Sequence, residues 1–130
     1  SRGTIFWMPE VVEAGTQSDQ LIDFTDWYAT LIDIGNVKLP RGYEIDGISC
    51  ADTILGGSSD RTVAFAEHGK KYFLRDQRWK LYNNGELYDL QMDPNEVEPI
   101  NARSDSRGSS VARKKLHEKM WELKLPQAAK

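Results

Sequence analysis

The stretch RWKLYNNGELYDLQMDPNE, residues 78–96, has the pattern of a tight β-hairpin that leads into an acidic turn. Asn84-Gly85 favours a type I′ turn at the hairpin tip, because both residue types tolerate the positive φ that this turn requires. Pro94 ends the second strand, since proline cannot donate a hydrogen bond to a β-ladder. No catalytic group stands out in this stretch, so its regular pattern predicts a role in the fold.

The neighbouring sequence extends the hairpin into a four-stranded antiparallel sheet. Apolar residues recur at every second position of the two middle strands, as a half-buried sheet requires, at Tyr72, Leu74, Trp79 and Leu81. Asp76-Gln77 is the predicted two-residue turn between these strands. The predicted strands are Thr62–Glu67, Lys71–Arg75, Arg78–Tyr82 and Glu86–Leu90.

A helix is predicted near the C-terminal end of the sequence, where it would cover one face of the sheet. Its apolar stripe recurs at helical spacing and consists of Ala112, Leu116, Met120 and Leu123. Ser109 or Ser110 would cap its first turn, and Pro126 would end it. Residues 101–110 before it are polar and are predicted to form a mobile loop.

The N-terminal part of the sequence predicts a strand followed by a helix. Thr4–Met8 is a short apolar run typical of a buried strand. The helical stripe that follows consists of Phe24, Trp27, Tyr28, Leu31 and Ile32. Thr25 or Asp26 is the predicted N-cap, and Gly35-Asn36 is the predicted stop.

The predicted fold class is α+β. A small four-stranded antiparallel sheet packs on a C-terminal helix, and a strand–helix piece of a larger α/β core precedes it. The expected organisation is a strand–helix piece at 1–37, connecting loops at 38–60 and a sheet subdomain with its covering helix at 61–130. An uncovered strand tends to pair with another chain, so dimerisation through Thr4–Met8 is expected.

Composition excludes several classes of function. The formal net charge of −3 gives no general attraction for nucleic acid or acidic membranes. No apolar run approaches the roughly 18 residues that span a bilayer. The single cysteine, Cys50, excludes an internal disulfide. The opening SRGTIFWMPE lacks an initiator methionine and indicates a fragment of a longer protein.

Few residues suggest chemistry. His117 lies on the polar side of the last helix and is interpreted as surface, whereas His68 follows a strand in AEHGKK, where a functional role is more plausible. Metal-ligand spacing is absent from the sequence. Cys50 is interpreted as a small packed residue. Trp79 could stack on a sugar ring, although cross-strand packing is the simpler interpretation.

The run WMPEVVEAGTQSDQLIDFTDWYATLIDIGNVKLPRGYEIDGIS, residues 7–49, resembles the C-terminal portion of the sulfatase family within the alkaline phosphatase superfamily. That family typically carries the progression WPG…G…S…D(F/L)xPT(L/V)xxxxG…P…DGxS. The matching positions are Trp7, Pro9, Gly15, Ser18, Asp26, Thr30, Gly35, Pro40, Asp46, Gly47 and Ser49. The sequence departs from the progression at Glu10, where the family often has Gly, and at Ala29, where it often has Pro.

The sheet sequence is similar to a second sulfatase signature, R…R.xxWKLY…ELYDLxxDPxE. Its positions correspond to Arg75, Trp79–Tyr82, Glu86–Leu90 and Asp93–Glu96. Together the two runs cover about residues 2–123 in the family's order. The order of the pieces is specific, whereas any one of them is weak.

The resemblance implies a parent enzyme that hydrolyses aryl or carbohydrate sulfate esters with a formylglycine and a calcium ion. The formylglycine forms within a C-x-P/A-x-R motif, and Cys50 lacks the required Arg. The fragment alone is therefore predicted to be inactive, with no catalytic or metal-binding residue and no cofactor. Two alternatives stay open: a phosphonate or phosphate monoester hydrolase of the same superfamily, and a stand-alone glycan- or protein-binding module.

The resemblance also places the sheet subdomain beside the catalytic domain, at the rim of the substrate pocket. His68, Arg75 and Trp79 are the candidate rim residues, and the implied partner is a sulfated small molecule or glycan. A periplasmic or secreted location is implied by the family. Neither a nucleic-acid partner nor a membrane partner is expected.

Overall fold

The computed structural model describes residues 4–123 and residue 125. The chain divides into two compact units, Ser1–Thr62 and Val63–Lys130. The first unit holds the helices α1 (Asp26–Ile34) and α2 (Ala51–Ile54). The second unit holds β1 (Ala64–His68), β2 (Lys71–Arg75), β3 (Trp79–Tyr82), β4 (Leu87–Asp89), a short 3-10 helix (Ala102–Ser104) and α3 (Arg107–Glu122).

The second unit is built on the predicted four-stranded antiparallel sheet. Its strands follow one another in the order β1-β2-β3-β4. Leu81 lies opposite Leu74 on one side and opposite Leu87 on the other, so the three leucines share one face. The sheet and its covering helix confirm the predicted α+β class. The bounds of β2 are those predicted, and the ends of the other strands lie within two residues of the predicted ends.

The turn between β2 and β3 lies one residue later than predicted. The backbone N–H of Asp76 donates to the carbonyl of Trp79 at 2.9 Å, so Gln77 and Arg78 are the two turn residues. The Asp76 carboxylate accepts hydrogen bonds from the backbone N–H groups of Arg78 at 2.9 Å and Trp79 at 2.7 Å. An aspartate before a turn commonly makes such bonds, which explains the shift.

The hairpin tip between β3 and β4 is a three-residue loop, and the predicted type I′ turn is wrong. Tyr82 donates its backbone N–H to the Glu86 carbonyl at 2.9 Å, which leaves residues 83–85 in the loop. Among these three residues only Gly85 has a positive φ, 89°. A type I turn followed by a left-handed glycine is the usual three-residue hairpin, and it requires no positive φ at Asn84.

Helix α3 covers one face of the sheet, as predicted. Ala112, Leu116 and Met120 are buried and confirm most of the predicted stripe. Leu123 is exposed, so that part of the prediction is wrong. The core that the helix and sheet share contains Val63, Tyr72, Leu74, Leu81, Leu87, Leu116 and Met120, with Trp79 packed against it. Burying a leucine of this kind contributes about 1.5–3 kcal/mol.

The start of α3 differs from the prediction. Ser106 is the N-cap, and its hydroxyl accepts a hydrogen bond from the backbone N–H of Ser109 at 3.2 Å. The segment predicted to be a mobile loop contains the 3-10 helix and the first turn of α3. Serine and aspartate favour caps as well as loops, so composition alone did not distinguish the two. The predicted stop at Pro126 lies outside the described residues.

Thr4–Met8 does not form a strand, so this prediction is wrong. The side chains of Ile5 and Trp7 are 95% and 83% exposed. The Met8 carbonyl accepts hydrogen bonds from the backbone N–H groups of Val11 and Val12, which turns the chain. The described part of the first unit offers no neighbouring strand to pair with this run, and the expected dimerisation through a strand edge therefore loses its basis.

The predicted helix of the first unit is confirmed as α1, but three of the five residues of its predicted apolar stripe are exposed, and the other two, Trp27 and Ile32, are half-buried. Its buried residues are Asp26, Ala29 and Thr30. Phe24, Tyr28 and Leu31, all in the predicted stripe, are 90%, 50% and 60% exposed. The reason is that α1 faces α2 with small and polar groups, and the Thr30 hydroxyl accepts the backbone N–H of Cys50 at 2.9 Å.

Asp26 organises the first unit around a buried carboxylate. The side chain forms an ion pair with Arg61 and accepts the backbone N–H groups of Asp23 and Ile48, each at 2.8 Å. Gly47 permits the backbone at Ile48 to approach the start of α1, because a Cβ at position 47 would clash with the Thr25 carbonyl oxygen. The buried Asp26 carboxylate thus takes the place that a cluster of apolar side chains has in an ordinary core.

Replacement of this carboxylate should destabilise the first unit. Asp26→Ala removes the buried carboxylate that Arg61 and two backbone N–H groups bind, and we expect a loss of about 3–5 kcal/mol in unfolding free energy. Hydrogen exchange at the Ile48 and Cys50 amides measures the change. Asp52→Ala removes an exposed carboxylate on α2 and should change stability by no more than about 0.5 kcal/mol. Equal protection in the two variants would contradict the assigned role of Asp26.

Candidate functional site

The three predicted rim residues lie at two ends of the sheet. Arg75 and Trp79 flank the turn between β2 and β3. His68 ends β1 at the opposite end, where it pairs with Lys71. Four residue steps along β2 separate Lys71 from Arg75, about 13 Å at the usual rise of a strand. Arg75 and Trp79 therefore lie at the same end of the sheet but on opposite faces, because Arg75 pairs with Lys80 whereas Trp79 packs against the core, and His68 lies apart from both.

Arg75 is engaged with its own turn. Its Nε donates to the Asp76 carbonyl at 3.0 Å, and an Nη donates to the Gln77 carbonyl at 3.4 Å. The imidazole of His68 is exposed. Of the two, His68 has the side chain that is more accessible to a ligand.

Trp79 packs against the core, and the guanidinium of Arg78 lies 4.8 Å from the centre of its ring. Arg78 also binds Asp89 with two hydrogen-bonding nitrogens, at 3.0 Å from Nε and 2.6 Å from Nη2. These hydrogen bonds lower the pKa of Asp89, although burial opposes them. Trp79 therefore packs against the core, and the Arg78 guanidinium lies beside its ring.

The face of the sheet opposite α3 carries a cluster that sequence reasoning missed. We call it the Lys80 cluster, and it consists of Phe73, Lys80, Tyr82, Tyr88 and Glu96. The Lys80 ammonium lies 3.9 Å from the centre of the Phe73 ring and 4.8 Å from that of Tyr82. It also forms an ion pair with Glu96 at 2.7 Å. Cation–π and ionic contacts therefore hold the same ammonium.

Glu96 reaches this cluster from the loop after β4. Its second carboxylate oxygen accepts the Tyr82 hydroxyl at 2.6 Å, and its backbone has a positive φ of 56°. Such a conformation is uncommon for a residue with a side chain and is retained when surrounding contacts fix it. The alternation of side chains along β3 could have predicted that Lys80 and Tyr82 lie on the face away from the core. No sequence pattern indicated that Glu96 is their partner.

The cluster shifts the titration of its members. Burial raises the pKa of Glu96, but the hydrogen bonds from Lys80 and Tyr82 outweigh it and bring the pKa below its ordinary value. The pKa of Tyr82 is raised well above its usual range, first by burial and then by the hydrogen bond to Glu96. The pair is therefore held as carboxylate and neutral phenol.

A cleft of about 400 Å³ adjoins the Lys80 cluster. It lies at the end of the sheet that carries the hairpin tip and the start of β2. Its lining is polar apart from the tyrosine rings and comprises Lys71, Tyr82, Asn83, Asn84, Glu86, Tyr88, Asn95 and Glu96. Hydrogen-bonding groups of both kinds therefore converge on one space.

The remaining candidates are structural in this geometry. Cys50 is 1% exposed, and its Sγ lies 3.1 Å from the Thr30 hydroxyl, which confirms its interpretation as a packed residue. His117 is exposed on α3, with its ring 6.3 Å from that of Trp121.

Within residues 4–123 and 125, no group of three or more His, Cys, Asp or Glu side chains could hold a metal ion. The calcium ion that the resemblance implies does not fit this part of the chain. No helix among the described residues is both long enough and apolar enough to cross a membrane.

The order of motifs, the sheet and its covering helix agree with a comparison against known families. The model of the C-terminal region of N-sulphoglucosamine sulphohydrolase matches residues 3–126. The chain belongs to this sulfatase C-terminal family. The domain is thus of the kind found in the C-terminal region of sulfatases, as the resemblance predicted.

Two solved Bacteroides proteins have similar structures. One, in complex with its substrate D-glucosamine-2-N,6-O-disulfate, is 25% identical, with a TM-score of 0.58 over 76% of this chain and 23% of that chain. The other, a 2-O GAG sulfatase, is 27% identical, with a TM-score of 0.53 over 77% of this chain and 25% of that chain. The sulfatase domain described here therefore spans about a quarter of their length. A search of curated protein sequences found no significant match.

The Lys80 cluster should make the stability of this sulfatase domain depend on pH. The folded-state pKa of Glu96 lies below its ordinary 4.5, so its contribution is complete above that pH and is lost as the pH falls through the folded value. At neutral pH we expect Glu96→Gln to cost about 1.5–3 kcal/mol. Urea unfolding between neutral pH and pH 3 should show that this difference shrinks as the solution becomes more acidic.

Glu98→Gln is the matched control, because Glu98 is an exposed glutamate of the same loop. Its unfolding free energy should stay within about 0.5 kcal/mol of the parent domain at every pH. A constant difference between the parent domain and Glu96→Gln across the range would contradict the role of the ionised Glu96.

Proposed function

We propose that this domain belongs to an enzyme that hydrolyses sulfate esters of carbohydrates, with a sulfated glucosamine unit as the substrate class. The match of residues 3–126 to the family of an N-sulphoglucosamine sulphohydrolase carries the proposal. It is supported by the two solved relatives, of which one is in complex with its disulfated glucosamine substrate and the other is a 2-O GAG sulfatase. Aryl sulfates are the simpler substrates that such an enzyme would also accept.

The chemistry of the reaction would come from segments outside this domain. Calcium and a formylglycine are the groups that sulfatase resemblance implies, and the described residues contain no cluster that fits a metal ion. Cys50 is buried and makes its contacts with Thr30, so it is not placed to act as a nucleophile. On this proposal the domain alone releases no sulfate.

The exposed apolar residues of the first unit support the proposal that another part of the complete enzyme covers this unit. Phe24, Tyr28 and Leu31 form an exposed apolar stripe next to the buried side of α1. Exposed large apolar side chains that lie near one another commonly mark an interface. We assign the stripe to contact with the catalytic part of the enzyme. A periplasmic or secreted location is part of the same proposal, because sulfatase resemblance implies it.

Sulfate release tests the proposed activity. The full-length protein that contains this domain should liberate sulfate from D-glucosamine-2-N,6-O-disulfate, measured by ion chromatography, whereas the 130-residue chain should not. Phosphate esters of the same sugar form the comparison, since a phosphohydrolase of the superfamily would favour them. Faster release of phosphate than of sulfate, or sulfate release by the isolated chain, would overturn the proposal.

His68 is the rim residue whose exposure best suits contact with a substrate. In the full-length enzyme we expect His68→Ala to lower kcat/KM for a sulfated oligosaccharide about tenfold, the effect of one charge-assisted hydrogen bond. A small aryl sulfate should react at the parental rate, because it does not extend to the rim. Steady-state kinetics on both substrates measures the difference.

His117→Ala is the control for this variant, since His117 is also exposed but lies on α3. It should leave both substrates unaffected. An equal loss on both substrates in His68→Ala would assign His68 to general structure, and parental kinetics on both would remove it from the rim.

A further inference from the structure

The cleft beside the Lys80 cluster has a defined construction. The tip of the β3–β4 hairpin forms one side, the start of β2 forms another, and the loop that carries Asn95 and Glu96 forms the third. The Asn83 side chain donates to the Lys70 carbonyl at 2.9 Å and so connects the two hairpin ends. Its volume of about 400 Å³ falls within the range of about 300–1,000 Å³ found for small-molecule sites.

Three asparagine amides present polar atoms that have no protein partner within the described residues. Asn83 uses only its Nδ2, and Asn84 uses only its Oδ1, which accepts the backbone N–H of Glu86 at 3.1 Å. Asn95 contributes a whole exposed amide. Each amide can donate as well as accept, which matches a ligand whose hydroxyl groups also do both.

Aromatic surface accompanies these amides. The rings of Tyr82 and Tyr88 meet edge to face, with centroids 5.8 Å apart, and both line the cleft. An aromatic ring provides apolar contact area beside polar groups. A ligand with hydroxyls on its edge and C–H groups on its face satisfies both features.

The formal charges at the cleft balance one another. The carboxylate of Glu96 is paired with Lys80, while the Glu86 carboxylate lies 3.5 Å from the Tyr88 hydroxyl. Lys71 adds one ammonium to the lining, and its positive charge balances the negative charge of Glu86. The two carboxylates and two ammonium groups sum to zero, so the cleft offers no net attraction for a polyanion.

We infer that this cleft binds an uncharged sugar ring, with the asparagine amides exchanging hydrogen bonds with its hydroxyls and the tyrosine rings packing on its C–H face. The inference concerns binding by this domain alone and is independent of whether the full-length protein hydrolyses sulfate esters. A neutral residue of a longer glycan would be the natural occupant.

Titration of the ¹⁵N-labelled 130-residue chain with N-acetyl-D-glucosamine tests the inference. The backbone and side-chain amides of Asn83, Asn84 and Asn95 should shift saturably, with a Kd on the order of millimolar for an open cleft. Asn95→Ala should weaken binding about fivefold, the equivalent of one neutral hydrogen bond. Asn95 is exposed and outside the core, so this variant should keep the parental spectrum elsewhere.

Gln91→Ala is the matched control, because it removes an exposed amide from the same connection after β4 without touching the cleft lining. It should bind the sugar with parental affinity. N-acetyl-D-glucosamine 6-sulfate should bind no more tightly than the neutral sugar. No saturable shift, equal affinity in Asn95→Ala and the parent, or tighter binding of the sulfated sugar that Lys71→Gln abolishes would each overturn the inference.

Discussion

The two-residue alternation of side chains along the sheet is the constraint on which the second unit depends. Leu74, Leu81 and Leu87 must share one face because they lie opposite one another in the ladder. Because side chains alternate along a strand, the same register places Lys80 and Tyr82 on the other face. The apolar face requires a cover, which α3 supplies, and the opposite face satisfies its charged and phenolic groups through Glu96. Core and cleft are therefore two results of one register.

The two units differ in the kind of side chain that they bury. The second encloses leucines and a methionine, whereas the first places the Asp26 carboxylate at its centre and leaves its aromatic stripe exposed. A buried ion pair contributes little net stability but makes the loss of either partner costly. The stability of the first unit consequently depends on the contacts of one residue, Asp26. Its exposed apolar surface agrees with a domain that spans only about a quarter of the length of its solved relatives.

Local patterns predicted the sheet, its helix and the family, because strand alternation and turn residues are properties of neighbouring positions. They failed where a distant partner decides the outcome. Thr4–Met8 is apolar enough for a strand, but strand formation needs an adjacent strand that the described residues lack. The stripe around Tyr28 is a regular helical face, yet Asp26 and Thr30 occupy the buried side. The sequence pattern places Glu96 only in an acidic turn, because its contacts with Lys80 and Tyr82 span 16 and 14 positions and have no local signal.

Arg113 links the hairpin tip to the helix. Its guanidinium donates to the carbonyls of Gly85 at 2.6 Å and Ile100 at 2.7 Å, while its Nε binds Asp105 at 2.8 Å. Hairpin tips commonly fray on the nanosecond timescale. Here one cation on α3 holds the tip and the following connection, so opening of the tip requires the hydrogen bonds of Arg113 to break. The mobility of the tip is thereby coupled to a side chain of the covering helix.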